Sequence, residues 1–383
     1  MIIGLMGTEF ESENKGCEAL SYSILNILKD IQGSDITIYY FSNLEYGKVP
    51  EYFPTLNLKK INLKIKDCRL TFFRAARQCD FIFDATMGDS FSDIYSKDVC
   101  LSDIRFKRIA STLCRNYVLL PQTYGPFYDS NVKRKASYVL KKTKLVFCRD
   151  SLSQEFLREN FGIENSILSS DMAFALPYKK NMYSLNERKK IGINVSGLLY
   201  KGGFTKNNQF NLKINYIEFI NKLIEDLLNR YSDYDIYLIP HVINLSENAH
   251  DDDYKVCFDL HKKYPQTILS PIFSTPIEAK SYISNMDIFI GSRMHATIAS
   301  FSSGVVTIPI SYSRKFEGLF GSLDYPYVID AKEETTDSAH KLVIKYIEES
   351  FNLKKVQDKS LQLIKEINDN FKNSILELIN GEN

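Results

Sequence analysis

The sequence predicts an α/β protein made of two doubly wound parallel sheets. Short apolar, β-branched runs alternate with amphipathic stretches along most of the chain, which is the pattern of successive βαβ units. Between Pro177 and Lys190 the alternation stops in a polar, aperiodic segment, and a second strand series begins after it. A chain of 383 residues is long enough for two ordinary α/β domains with large cores.

The first strand is expected at Ile2–Met6. It meets Glu9 and Glu11 soon afterwards and has no basic residues before it, so it does not read as a secretory leader. A polar loop to Gly16 and a helix over 17–29 follow. Gly16 sits where a phosphate-cradling turn would place a glycine, but neither GxGxxG nor GxxxxGK[ST] is present. Further strands are expected at 36–41, 81–84, 117–120 and 145–148, with a helix over 131–141. Three of their ends are polar. Asp84, Asp89 and Asp93 share a Gly/Ser loop, Gln122 lies in a turn-rich segment, and Arg149-Asp150-Ser151 ends a strand and opens a helix. Capping and turn-making account for Asp and Ser at such places without a ligand. The aspartate spacing does not fit a calcium-binding EF-hand loop.

The second series starts with a strand at 191–195 and a glycine-bearing loop, then a helix over 215–231. A strand over 234–240 ends at His241. A helix over 252–263, a strand at 267–269 and a helix over 277–285 lead to residues 286–321. Beyond Asp330 the spacing of apolar residues is wholly helical, over 333–349 and 356–379. The expected domains are therefore 1–178 and 186–330, with 331–383 as helices packing on them.

Residues 286–321 carry the strongest signal. Residues 287–290 read as a buried strand, Ser292 as an N-cap, 293–303 as a helix with Gly304 as its C′ residue, and 305–310 as the next strand. Arg293 and His295 then fall in the first turn of a helix just past a strand's carboxyl end. Open α/β sheets bind ligands there, and helix N-termini favour anions. Arg293 offers a planar, permanently charged fork, and His295 moves protons near neutral pH. The alternative is a pair of solvated surface residues.

A formal net charge of +1 argues against a nucleic-acid protein driven by phosphate neutralisation. The seven cysteines are odd in number and scattered, with no CxxC. Neither a zinc site nor a disulfide framework is expected, and reduced thiols in a cytoplasm are the simpler reading. No stretch approaches the roughly 18 apolar residues of a membrane span, so at most peripheral membrane contact is expected.

Six segments in order carry a family resemblance: Asn14-Lys15-Gly16-Cys17-Glu18-Ala19-Leu20, Gly88 to Asp93, Pro121 to Phe127, Cys148-Arg149-Asp150, Asp171 to Phe174, and Gly291-Ser292-Arg293-Met294-His295-Ala296. With Tyr312-Ser313-Arg314-Lys315 they span residues 1 to about 325 and together resemble the polysaccharide pyruvyl transferase family. One departure is that Asp84-Ala85-Thr86-Met87 replaces most of a run that is often glycine-rich in that family.

The resemblance implies two Rossmann-like domains facing a cleft, a glycosyltransferase-B-like architecture with C-terminal helices. The first domain would be the acceptor side and the second the donor side. It implies transfer of the enolpyruvyl unit of phosphoenolpyruvate to a sugar of a polysaccharide precursor, giving a pyruvate ketal and phosphate, without cofactor or metal. The acceptor would be free or lipid-linked, and the place the cytoplasm, including the inner face of its membrane. His295 and Arg293 are then the expected catalytic residues. Arg149, His241, Lys315, Asn14, Gly16, Asp89, Gln122 and Ser292 are the expected substrate contacts.

The residues suit this chemistry on their own terms. A small dense anion suits a helix N-terminus with an arginine, and ketal formation needs a proton delivered to a methylene carbon. The helix N-terminus should depress the His295 pKa, so the substrate's charge would be needed to keep it protonated. Two alternatives stay open: a glycosyltransferase of this architecture using a nucleotide-sugar donor, and a non-catalytic glycan- or anion-binding protein.

Overall fold

The computed structural model of the protein describes residues 1–31, 36–42, 45–63, 68–94, 96–246 and 249–381. The chain divides into two compact units, the first of residues 1–12, 20–175 and 365–383, the second of 13–19 and 176–364. Residues 331–383, expected as helices packing on the domains, are therefore shared, with 365–383 in the first unit and the rest in the second. Residues 382–383 lie outside the described residues.

In the first unit the strands are β1 (Ile2–Met6), β2 (Thr37–Phe41), β3 (Asn57–Ile61), β4 (Phe81–Asp84), β5 (Tyr117–Gln122), β6 (Leu145–Cys148) and β7 (Ile167–Leu168). They pair in parallel in the order β3-β2-β1-β4-β5-β6-β7. The helices along this stretch are α1 (Lys15–Leu28), α2 (Val49–Tyr52), α3 (Cys68–Ala76), α4 (Lys97–Leu113), α5 (Ser130–Lys142) and α6 (Ser151–Phe161). The central strands are almost wholly apolar because helices cover both faces of a parallel sheet. Residues of β1, β4 and β5 such as Leu5, Ile82, Phe83 and Val118 are fully buried. The outer strand β3, NLKKI, is absent from the sequence expectation for a physical reason: it is short, charged and half-exposed, as a protected sheet edge should be.

In the second unit β8 (Lys189–Asn194), β9 (Tyr234–Leu238), β10 (Ile268–Leu269), β11 (Ile288–Gly291), β12 (Val306–Ser311) and β13 (Ile329–Asp330) form a parallel sheet ordered β10-β9-β8-β11-β12-β13. Its helices are α7 (Gly197–Tyr200), α8 (Tyr216–Arg230), α9 (Asp253–Lys263), α10 (Pro276–Ile283), α11 (Met294–Ser302), α12 (Arg314–Gly321), α13 (Thr336–Glu348) and the first half of α14 (Ser350–Asn380). Counted from each unit's own first strand, both sheets run 3-2-1-4-5-6, the doubly wound order of Rossmann folds, and the first adds β7 as a seventh strand beside β6. The order reverses between β1 and β4 in the first unit and between β8 and β11 in the second, and those switch points open the ligand crevice of such sheets.

One local expectation is corrected. Ser292 is not the N-cap of α11. Arg293 holds that position with extended backbone (φ −97°, ψ 124°) and no side-chain cap, and the helix starts at Met294. The Ser292 hydroxyl is occupied instead, accepting from Tyr216 Oη at 2.8 Å. Gly304 does follow the helix with a left-handed φ of +82°. Among the described residues no helix is long and apolar enough to cross a membrane.

Candidate active site

In the second unit the ends of β8, β9 and β11 are tied together at the switch point. Asn194, the last residue of β8, donates to the Ile239 carbonyl at 2.9 Å and accepts from the Arg293 N–H at 2.9 Å. The Arg293 side chain runs to two aspartates. Its Nε donates to both carboxylate oxygens of Asp253 at 3.2 Å, its Nη2 to Asp253 Oδ1 at 2.6 Å, and its Nη1 to Asp251 Oδ2 at 3.1 Å. Nη2 also pairs with the other Asp251 oxygen. Burial opposes the guanidinium charge, but Asp253 and Asp251 outweigh it and hold the pKa well above its ordinary value.

Asp253 is fully buried and does more than pair with Arg293. It also accepts from the N–H groups of Gly197 (2.7 Å), His241 (3.2 Å) and Val242 (3.0 Å). One carboxylate thus fastens the loops after β8, β9 and β11. Three consecutive aspartates divide the labour. Asp252 caps α9 by accepting from Tyr254 and Lys255, while Asp251 and Asp253 reach Arg293.

The segment 13–19 completes the cluster. Asn14 makes an antiparallel bridge with Val242, and the Lys15 N–H donates to the His241 carbonyl at 3.2 Å. The Asn14 side-chain oxygen accepts from the Gly16 N–H at 2.9 Å, which shapes the start of α1. Lys15 is buried, its ammonium on Glu18 at 2.8 Å and on the Ser274 carbonyl at 3.1 Å. Gly16 lies directly on the His295 ring. A Cβ at this position would stand 2.4 Å from Nδ1, so only glycine permits the approach. The first turns of α1 and α11 therefore meet.

His241 and Lys315 supply the remaining titratable groups. Burial drives the His241 pKa well below 6.5, and the positive charges of His295, Arg293 and Lys15 push the same way. It is a neutral imidazole at neutral pH, suited to accepting a proton rather than serving as the acid. Lys315 opens α12 and is half-buried. Burial lowers its pKa to about 8, with Cys17 acting in the opposite direction.

Asp89, Gln122 and Arg149 belong to the first unit, at or just beyond the ends of β4, β5 and β6. The Arg149 N–H donates to the Gln122 carbonyl at 3.3 Å, and its Nη1 bonds Asp171 at 3.1 Å. Its Nε lies 3.8 Å from Asp150, and among the described residues Nε and Nη2 have no hydrogen-bond partner although the residue is buried. A Cβ on Gly88 would lie 3.3 Å from Nη1, which puts the loop of Asp89 beside this arginine. The predicted residues thus form two groups. Asn14, Gly16, His241, Ser292, Arg293, His295 and Lys315 belong to the second unit, and the other three to the first. No group of three or more His, Cys, Asp or Glu side chains among the described residues is arranged to hold a metal ion.

A family model for polysaccharide pyruvyl transferase matches residues 14–314, which takes in both groups and stops one residue short of Lys315. The chain belongs to that family. No curated protein sequence matches it. Among solved structures the chain is similar to the UDP-GlcNAc 2-epimerase of Neisseria meningitidis bound to UDP-GlcNAc, at 12% identity over 96% of this chain and 98% of that one, with a TM-score of 0.58. It is also similar to the glycosyltransferase SnogD of Streptomyces nogalater, at 10% identity over 96% and 95% of the two chains, with a TM-score of 0.52. At such identities the likeness is one of fold, and it places this pyruvyl transferase family member among GT-B-type two-domain α/β proteins.

Sequence reasoning missed Asp251, Asp253, Lys15 and Glu18 as members of the site. The run Asp251-Asp252-Asp253 reads locally as a helix cap, and only the folded ends of β8, β9 and β11 show where its outer members go. Lys15 and Glu18 lie inside a segment that the resemblance does quote, which was the available signal.

Proposed function

We propose that this family member moves the enolpyruvyl unit of phosphoenolpyruvate onto a sugar diol of a polysaccharide precursor, exopolysaccharide or capsule, forming a pyruvate ketal. The observation that carries the reading is the meeting of two helix first turns at Gly16 and His295, with Lys315 and the Arg293 guanidinium in the same unit. Helix N-termini and cations suit a donor that is itself a small, dense anion. His295 is assigned the acid. It protonates the methylene carbon of the donor to a methyl group while one sugar hydroxyl adds to the adjacent carbon and loses its proton. The carbon–oxygen bond to phosphate then breaks, and the second hydroxyl adds to the same carbon. Its proton leaves with the phosphate. Two hydroxyl hydrogens are thereby exchanged for two carbon–oxygen bonds, one methyl hydrogen and one protonated phosphate.

Arg293 is assigned to the donor anion through its Nη1/Nη2 edge, the edge that Asp251 holds in this structure. Donor binding on this reading displaces Asp251 and leaves Asp253 in place as the residue that positions Arg293. Asp89, Gln122 and Arg149 in the first unit are assigned to the acceptor. The acceptor is a lipid-linked or free sugar, and the reaction runs in the cytoplasm at or near the membrane's inner face.

The test is incubation with phosphoenolpyruvate and a galactose- or N-acetylmannosamine-bearing acceptor, followed by phosphate release and the product's mass. Phosphate release with a ketal-sized mass gain, undiminished by a chelator, is expected. Release of a nucleoside diphosphate from a nucleotide sugar would overturn the donor assignment, and binding of either donor without turnover would overturn the reaction.

A further inference from the structure

On the first unit α3 packs on α4 and α4 on α5, and their outer faces differ in charge from the rest of the chain. Six of the chain's thirteen arginines, Arg69, Arg74, Arg77, Arg105, Arg108 and Arg115, lie on or just beyond α3 and α4. Elsewhere lysine is the prevailing cation. No aspartate or glutamate occurs in 68–79, 104–128 or 130–149. Among the described residues none of the six arginines has an ion-pair partner, whereas exposed lysines such as Lys97, Lys189, Lys222 and Lys354 each have one.

Apolar side chains stand among these charges. Leu70 is 48% exposed and Phe73 40%. The Arg108 guanidinium lies over the Tyr138 ring, 4.9 Å from its centroid. A groove of about 370 Å³ runs between them, lined by Arg69, Phe73, Arg105, Arg108, Leu113 and Tyr138.

We propose that this face docks the protein on an anionic phospholipid bilayer. The guanidinium fork grips phosphate oxygens in pairs and is more weakly hydrated than an ammonium, so arginine suits a headgroup layer better than lysine does. Each basic residue held near an anionic leaflet raises partitioning by roughly five-fold, and exposed Leu and Phe side chains add apolar burial at the acyl boundary. A nucleic acid would use the same charges and could stack bases on Phe73 and Tyr138, but it would leave the exposed aliphatic side chain of Leu70 without a partner, whereas an acyl boundary buries it. The proposal names the surface behind the peripheral membrane contact of the reading above, and it stands on this face alone.

The test uses the full chain with phosphatidylcholine vesicles, with and without phosphatidylglycerol. Co-sedimentation with the phosphatidylglycerol vesicles only, weakening as salt rises, is expected. Reversing three charges together (Arg69→Glu, Arg105→Glu, Arg108→Glu) should cut binding at least ten-fold at an unchanged melting temperature. The pair Leu70→Ser and Phe73→Ser should also weaken it, including at a salt concentration that screens the charges. No sedimentation with phosphatidylglycerol vesicles would overturn the proposal. So would equal binding by the charge-reversed variant, or a stronger grip on a duplex DNA or single-stranded RNA oligonucleotide than on the phosphatidylglycerol vesicles. Turnover of a soluble acceptor is a separate readout. Vesicle binding without turnover would sink the transferase reading and leave this proposal standing, and turnover without vesicle binding would do the reverse.

Discussion

At the switch point of the first unit, between β1 and β4, the polar groups satisfy one another. Asp84 and Lys107 are both 0% exposed and pair at 2.6 Å. Tyr117 Oη donates to the same Asp84 oxygen at 2.5 Å, and Thr86 accepts from Lys107 at 2.7 Å. At the matching place in the second unit, between β8 and β11, the buried carboxylate Asp253 also pairs with a cation. Around it, however, stand His241, whose backbone N–H donates to that carboxylate, and the first turns of two helices that meet at Gly16 and His295. The same strand order offers the same crevice twice. In the first unit the crevice floor is filled by an internal ion pair, and in the second an ion pair is flanked by two imidazoles. Strand order alone thus does not make a site, since function follows from the side chains placed on the fold.

The first unit's plug has a local purpose. Thr86 (φ 43°), Met87 (φ 53°) and Gly88 (φ 82°) take left-handed backbone in succession. Non-glycine residues there cost on the order of 1–3 kcal/mol each and persist only where their surroundings enforce them. Asp84, through the Thr86 N–H at 3.0 Å and hydroxyl at 2.9 Å, is that enforcement. Here the sequence departs from the glycine-rich run often found in its family, and a buried network holds what glycines would adopt freely.

The sharpest way to break the contrast is His295→Ala. If the second switch point does the chemistry, turnover should fall by about 10²–10⁴-fold with melting unchanged. Turnover within a few-fold of the parent would remove the chemistry from that crevice. In the first unit, Lys107→Met should instead cost stability. Leaving Asp84 buried without its cation is worth roughly 3–5 kcal/mol in a denaturant titration, with part of the loss recovered by adding Asp84→Asn. A loss below about 1 kcal/mol would mean that the pair does not hold the loop.

A finer division lies within the Arg293 cluster. Arg293→Ala should lower stability as well as donor binding, because Asp253 then stays buried and uncompensated. Asp251→Ala separates the two effects. It frees one edge of the guanidinium while Asp253 keeps the other, so donor KM should drop, by up to the roughly 10-fold or more that one charge-assisted hydrogen bond is worth. An unchanged KM would make Arg293 purely structural. The smallest effect concerns pH. Lys315, with a pKa lowered to about 8, is cationic below that value, so donor KM should climb as pH rises through about 8, and Lys315→Arg should flatten the rise. Stability moves the other way. Between about 8 and the ordinary lysine value of 10.5 the unfolded chain binds more protons at this residue than the native state, so the Lys315 contribution to stability increases with pH there. A flat KM profile would take Lys315 out of the donor site.

The alternation of apolar runs and helical spacing was enough to read both sheets, because buried parallel strands such as FIFD and IFIG are continuous and apolar. The outer strands β3, β7 and β13 escaped that reading. β3 carries lysines, and the other two span two residues each, too short for any period. Arg293 and His295 were legible because a strand–helix junction is a local pattern. Asp253 was not, since its five partner groups come from Gly197, His241, Val242 and Arg293, 11 to 56 residues away in sequence. The basic face of α3 and α4 was hidden behind a net charge of +1, a sum that cancels local clusters.

The segment 13–19 has a consequence for how this protein can be taken apart. It is numbered with the first unit's strands but clusters with the second, as 365–383 does in reverse. A polypeptide of residues 176–364 alone would lack Gly16, and with it the surface on which His295 rests. Residues 1–175 alone would lack Phe371, whose ring meets Phe147 edge-on at 4.9 Å. Neither half is therefore a portable module. Shuffling domains between members of this family by a single crossover would carry half of each interlock and lose the other, and only exchanges that move the short segments with their structural partners preserve a whole site.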